Sequence, residues 1–154
     1  MAKTIVRNAT HEDIAPLLDI GAAMHAESPR YSPLSYSRAK VQQLLAHLIN
    51  MPTGFLQVAE RDGLLIGGMA GIITPQWFSE TDLVASEFAL FLLPEHRGGM
   101  AAPRLVKSFI SWARENGVKP GYVQLIISTG VHVEQTAGLY QALGCRQFSV
   151  GFEV

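Results

Sequence analysis

The sequence predicts an α+β fold in which helices layer against a central sheet. Three observations carry that expectation. The apolar residues recur with a helical period in some stretches and with a period of two in others. An unbroken apolar run, Leu90-Phe91-Leu92-Leu93, meets Pro94, then Arg97-Gly98-Gly99, and a helical pattern opens at once. The composition is 48% hydrophobic and only 16% charged over 154 residues, which excludes disorder and suits a single domain, 1–154, with a well-filled interior.

The elements follow in order. Thr4-Ile5-Val6-Arg7 reads as a short first strand. Thr10-x-x-Asp13 has the form of a capping box and starts a helix carrying Ile14, Leu17 and Leu18 on one face, with Pro16 placed to perturb it. Ser28 to Pro33 is a loop. Val41, Leu44, Leu45, Leu48 and Ile49 mark a second helix that stops at Asn50-x-Pro52. The period then changes. Phe55–Glu60 and Leu64–Thr74 read as two strands joined by a tight turn at Arg61-Asp62-Gly63, with Gly67-Gly68 marking a bulge or a close backbone approach. A loop holding Pro75, Trp77 and Phe78 leads to a long strand from Leu83 to Leu93. Ala102, Leu105, Val106, Phe109, Ile110 and Ala113 form one apolar helix face, and Gly117 is the natural end of that helix. Tyr122–Ser128 reads as a strand and His132–Leu143 as a short helix closed by Gly144. Phe148, Val150, Phe152 and Val154 alternate in a last strand. The order is β-α-α-β-β-β-α-β-α-β.

The formal net charge is −1 without a basic run, so nucleic acid is not an expected partner. No apolar run approaches the roughly 20 residues needed to span a bilayer. The start, Met1-Ala2-Lys3-Thr4, shows no apolar signal region, and the single Cys145 has no disulfide partner. Both fit a cytoplasmic location. Cys145 reads as a small core filler. The five histidines are dispersed without metal-ligand spacing, and no metal is expected.

A strand, a glycine turn and a helix N-terminus present free backbone N–H groups to an anion, and the helix dipole adds roughly half a positive charge there. The segment reads as a phosphate cradle, although a glycine pair also serves simply to turn the chain. Neither the Gly-x-Gly-x-x-Gly dinucleotide fingerprint nor the Gly-Lys-Ser/Thr ending of a P-loop is present. Some other phosphate-bearing cofactor is required.

Three passages together supply a candidate. Ile5-Val6-Arg7-Asn8-Ala9-Thr10-x-x-Asp13-Ile14, Leu90 through Gly99, and Leu139-Tyr140-Gln141-Ala142-Leu143-Gly144-Cys145 resemble, in order and spacing, the GNAT superfamily of acyl-CoA-dependent N-acetyltransferases. The resemblance covers essentially the whole chain. It implies a mixed, largely antiparallel central sheet, splayed after the fourth strand to admit acetyl-CoA. Two departures stand out. Met100 occupies the place of the middle glycine in the family's Arg/Gln-x-x-Gly-x-Gly/Ala loop, at a cost of about 1–2 kcal/mol if that position needs a positive φ, unless Gly98-Gly99 shift the loop's path. The Asn often found on the helix before the Tyr is replaced by residues near Val133-Glu134.

In such enzymes the cofactor pyrophosphate rests on backbone amides, here Gly98, Gly99, Met100, Ala101 and Ala102, with Arg97 either a phosphate partner or a solvated group at the strand exit. The pantetheine arm pairs with the strand edge at Leu92 and Leu93. An ammonium with a pKa of about 10.4 costs roughly 4.6 kcal/mol to deprotonate at pH 7, so a base is useful. Glu87, the one carboxylate inside the long apolar strand, is the first candidate, and Glu27 beside His25 the weaker one. A Glu at a sheet edge or in an ion pair is the bland alternative. Tyr140 sits near the sulfur and supports the departing thiolate, unless it is an ordinary core tyrosine. Tyr31 and Trp77-Phe78 either wall an acceptor pocket or anchor loops. The resemblance thus implies an acetyl-CoA-dependent N-acetyltransferase acting on an unidentified amine by direct attack in a ternary complex; a homodimer is compatible with it. The alternative is a GNAT-like domain that binds CoA without catalysis, as a sensor or interaction module.

Overall fold

The computed structural model describes residues 3–154. Five strands form one sheet in the order β1 (Thr4–Asn8), β2 (Gly54–Arg61), β3 (Leu64–Pro75), β4 (Leu83–Leu92), β5 (Val123–Gln124). The first four pair antiparallel, and β5 alone runs parallel to β4. The helices are α1 (Ile14–Glu27), α2 (Arg38–Asn50), α3 (Ala101–Glu115) and α4 (Val133–Ala142).

Strand alternation divides the interior into two cores. Phe55, Ala59, Met69 and Ile73 point to one face and bury with Leu105, Val106 and Phe109 of α3. Leu56, Val58 and Ala70 point to the other, where Leu17 and Leu18 of α1 and Leu45 and Leu48 of α2 cover them. Of the α3 stripe its spacing predicts, Leu105, Val106, Phe109 and Ala113 are buried and Ala102 and Ile110 partly so, with Ala101 added at its start. Where Phe55 meets Phe109, the rings pack edge to face at 5.1 Å.

Local chemistry accounts for the element ends. The Thr10 N–H donates to the Asp13 carboxylate at 2.8 Å, and a short 3-10 turn, His11–Asp13, delays the α-helix to Ile14. That delay puts Pro16 in the first turn, where its missing N–H has no intrahelical acceptor to forsake, so the helix is unbroken. The Arg7 guanidinium grips both Asp13 oxygens, at 2.7 and 2.9 Å, and reaches Glu60 at 3.1 Å, tying β1 to the helix start. Between β2 and β3 both turn residues take positive φ (Asp62 +52°, Gly63 +79°), matching the right-handed strand twist.

Two bulges shape the sheet. Ile66 is the extra residue of β3 against β2, and Phe88 is the extra residue of β4 against β3. The glycines beside them mark close approach: a Cβ on Gly67 would run into the Phe91 carbonyl, and one on Gly71 would lie 2.5 Å from the Phe109 ring.

Two strand expectations are corrected. Only Val123–Gln124 of the expected 122–128 strand is paired, because beyond Ser86 the chain leaves β4. Residues 148–154 have the alternation of a strand but pair with no strand among the described residues, and their apolar side chains are exposed.

Candidate active site

The cleft forms where β4 and the 125–128 segment part. The β4 bulge at Phe88 falls just past the last β4–β5 pair, Ser86 with Gln124. The Glu87 side chain enters the gap, its carboxylate accepting the Ile126 N–H at 3.0 Å in place of a backbone partner. A cavity of about 500 Å³ opens there, lined by Glu87, Leu90, Leu92, Gly98, Ser128 and Tyr140 among others.

Glu87 is only 7% exposed, and burial pushes its pKa up to about 7, with the Ile126 N–H pulling the other way. Tyr140 is equally buried and lies on the same cavity. Burial first, then the nearby Glu87 charge, holds its phenol well above the usual tyrosine range, so its proton stays on. No group among the described residues hydrogen-bonds its hydroxyl.

At the far end of the cavity β4 runs through a 3-10 turn, Pro94–His96, into the loop before α3. Gly98 supplies the positive φ, +83°, while Met100 takes an ordinary helical conformation at φ −89°. The strain considered for Met100 is therefore absent, since the turn has moved to a glycine. Among the described residues the N–H groups of 98–102 donate to nothing, and the first helical bond of α3 is Arg104 N–H to Met100 O at 3.1 Å. A Cβ on Gly98 or Gly99 would meet nothing within 4 Å, so an anion can approach these amides closely. Gly98, Gly99 and Ala102 border the cavity; the Met100 side chain turns to solvent and Ala101 into the core.

Three sequence expectations change in detail. The Leu93 N–H bonds Ile66 O at 2.8 Å, so it is closed to a ligand. Antiparallel alternation instead turns the Leu90 and Leu92 amides toward the cleft, and Leu90 is the edge residue sequence reasoning missed. The Arg97 guanidinium is forked onto Glu27, both contacts 2.6 Å, while its Nε donates to Leu92 O at 2.9 Å. Arg97 thus fastens the loop to α1 and β4, and Glu27, held below the ordinary carboxylate range by Arg97, is a poor base. Tyr31 acts as a loop anchor: its hydroxyl donates to Ser128 Oγ at 2.8 Å, beside the fully buried Ser28, whose Oγ donates to Thr129 O at 2.6 Å. Trp77 and Phe78 pack edge to face at 5.2 Å in the exposed β3–β4 loop and do not border the cavity.

A sheet splayed at a bulged strand, with a free-amide loop at one end of the cleft and a carboxylate and phenol at the other, is the architecture of an acyltransferase. The family model of the GNAT acetyltransferases matches residues 21–145, and the chain belongs to that family. Solved structures agree on the fold. An aminoglycoside N-acetyltransferase, AAC(6')-Iy, in complex with CoA superposes with a TM-score of 0.78 at 15% identity, over 100% of this chain and 95% of the other. A predicted acetyltransferase with acetyl-CoA from Clostridium acetobutylicum gives 0.75 at 14% identity, over 99% and 96%. Glucosamine-6-phosphate N-acetyltransferase from Arabidopsis thaliana gives 0.75 at 12% identity, over 99% and 97%. No curated protein matches the chain significantly.

Proposed function

We propose that the protein transfers an acetyl group from acetyl-CoA to a primary amine by direct attack within a ternary complex. The carrying observation is that one cleft joins five free amides at a helix N-terminus to a buried carboxylate and a buried phenol. Family membership and solved relatives that hold CoA support acetyl-CoA as the cosubstrate.

The amides of residues 98–102 would receive the pyrophosphate, with the α3 dipole adding to their attraction. Arg97, engaged by Glu27, serves by holding the loop rather than by contacting phosphate. The Leu90 and Leu92 amides would pair with the pantetheine arm. Acetyl-CoA supplies the activated thioester. Glu87 accepts the proton of the incoming ammonium through a water, and a pKa near 7 keeps a large fraction ionised at neutral pH. As the new C–N bond forms and the C–S bond breaks, the sulfur leaves as a thiolate and the nitrogen gives up its second proton to water. Tyr140 donates a hydrogen bond to it; its raised pKa argues against full proton transfer.

The test is thiol release from acetyl-CoA across a panel of small and protein amines. Tyr140→Phe keeps the ring and removes one donor. It should lower kcat about tenfold or more, with acetyl-CoA affinity and melting temperature unchanged. Tight acetyl-CoA binding with no thiol release on any amine would replace this reading with a CoA-binding sensor.

A further inference from the structure

The walls of the cleft carry few charges, and most of those are already committed to one another. Five ionisable side chains border the cavity: Glu27, Glu87, Arg97, His132 and Tyr140. Glu27 and Arg97 hold each other through two contacts of 2.6 Å, and His132 stands close enough to Glu27 to add to that pull. The Tyr140 phenol keeps its proton. Among the described residues, Glu87 is therefore the carboxylate on this cavity that has no cationic partner.

The surroundings of that carboxylate are apolar. Phe88 follows it in the chain as the extra residue of the β4 bulge, and Ile126 donates its N–H to it at 3.0 Å. Both side chains border the cavity, and they are 48% and 51% exposed. Met24 of α1 adds a third apolar side chain to the cavity wall. An amine whose nitrogen reaches Glu87 must lay its next few atoms against Phe88 and Ile126. A second ammonium on that acceptor would lose water beside hydrocarbon and find no anion. A carboxylate would lie beside Glu87, with the Arg97 guanidinium already engaged. An apolar body meets neither cost and takes two half-exposed side chains out of water.

We propose that the acceptor is a primary amine bearing one positive charge on an apolar, ring-sized body, seated against Phe88 and Ile126 with its nitrogen toward Glu87. This rests on the acetyl-transfer reading and adds to it the class of amine. One uncommitted carboxylate matches one ammonium, and the selectivity comes as much from what the walls lack as from what they offer. Phe88 owes its place to the bulge, so the irregularity that opens the cleft also sets which amine enters it.

The test compares thiol release from acetyl-CoA with three amines of similar length: 2-phenylethylamine, 1,6-diaminohexane and phenylalanine. The first has one charge, the second adds an ammonium and the third adds a carboxylate. The kcat/KM for 2-phenylethylamine should exceed that for each of the others about tenfold or more. Phe88→Ala should raise the KM for 2-phenylethylamine about tenfold with a much smaller change in kcat, and Phe88→Leu should restore most of the loss. Phe88→Glu, which sets a second carboxylate on the wall, should move the preference toward the diamine. Circular dichroism follows the fold of each variant. A wild-type kcat/KM for the diamine or for phenylalanine that equals or exceeds that for 2-phenylethylamine overturns the proposal and leaves acetyl transfer standing. An unaltered KM in a folded Phe88→Ala variant does the same. Thiol release with no amine at all overturns both readings together.

Discussion

The two flanks of β4 follow opposite rules. Toward β3 the strand is paired over almost its whole length, from Pro75 opposite Leu83 to Gly67 opposite Leu92, interrupted only at the Phe88 bulge. Toward β5 it is paired at only two positions, Ala85 and Ser86, and then released. The paired flank leaves no space: its glycines exist because a side chain would strike the opposite strand or the Phe109 ring. The released flank holds a 500 Å³ cavity whose glycines, Gly98 and Gly99, face open room. The same residue type therefore serves packing on one side and access on the other. The paired flank is built for stability and the released flank holds the proposed chemistry, and a substitution on each side should fail in a different way.

The largest effect is expected on the paired flank. Gly67→Val should cost about 3 kcal/mol or more, because the clash is with the backbone of β4, which cannot move without breaking the ladder. Denaturant unfolding measures it, and a cost below 1 kcal/mol would show that the flank is looser than its register implies.

Glu87→Gln tests the boundary between the flanks. The folded pKa of Glu87, about 7, lies above its ordinary 4.5, so folding favours the protonated form. Its contribution is complete below pH 4.5 and is lost as pH rises through 7, for a decline of up to roughly 3 kcal/mol. The Gln variant should lack that decline when stability is measured from pH 4 to 8. Activity runs with the opposite sign: the wild-type rate should climb with pH through about 7 as Glu87 ionises, and the variant should lose that step. A wild-type profile indistinguishable from the variant's would remove Glu87 as the base.

The smallest stability effect is expected on the open flank. Gly99→Val meets no atom of the chain, so unfolding should shift by less than about 0.5 kcal/mol. Acetyl-CoA affinity, read by calorimetry, should nevertheless fall about tenfold or more, since the added branch stands over the amides of residues 98–102. Equal affinity would place the phosphates elsewhere.

Much of this was legible in the chain. The α3 stripe and its glycine stop, the Asp62-Gly63 turn, the Gly67-Gly68 close approach and the α4 end at Gly144 are local signals, and each lies where its residues put it. Glu87 and Tyr140, 53 positions apart in the sequence, were singled out separately, one as a lone carboxylate in an apolar strand, the other by family resemblance. The misreadings have a common origin. The 122–128 and 148–154 stretches carry strand-like patterns, but a pattern states which face is apolar and says nothing of whether an edge is available. Arg97 read as a phosphate ligand because nothing local reveals Glu27, 70 positions earlier, and Leu93 read as a free edge because its Ile66 partner lies on another strand.

The sequence by itself determined the helices, the first four strands, the two apolar faces and the glycine turn before α3, because period, capping and glycine conformation act over a few residues. Tertiary structure alone decided where pairing stops. Whether β4 meets a neighbour after Ser86, whether Glu87 titrates near 4.5 or near 7, and which guanidinium and amides remain free depend on groups brought together from distant positions. Burial and hydrogen-bond partnership are properties of the assembled sheet, and no stretch of chain encodes them alone.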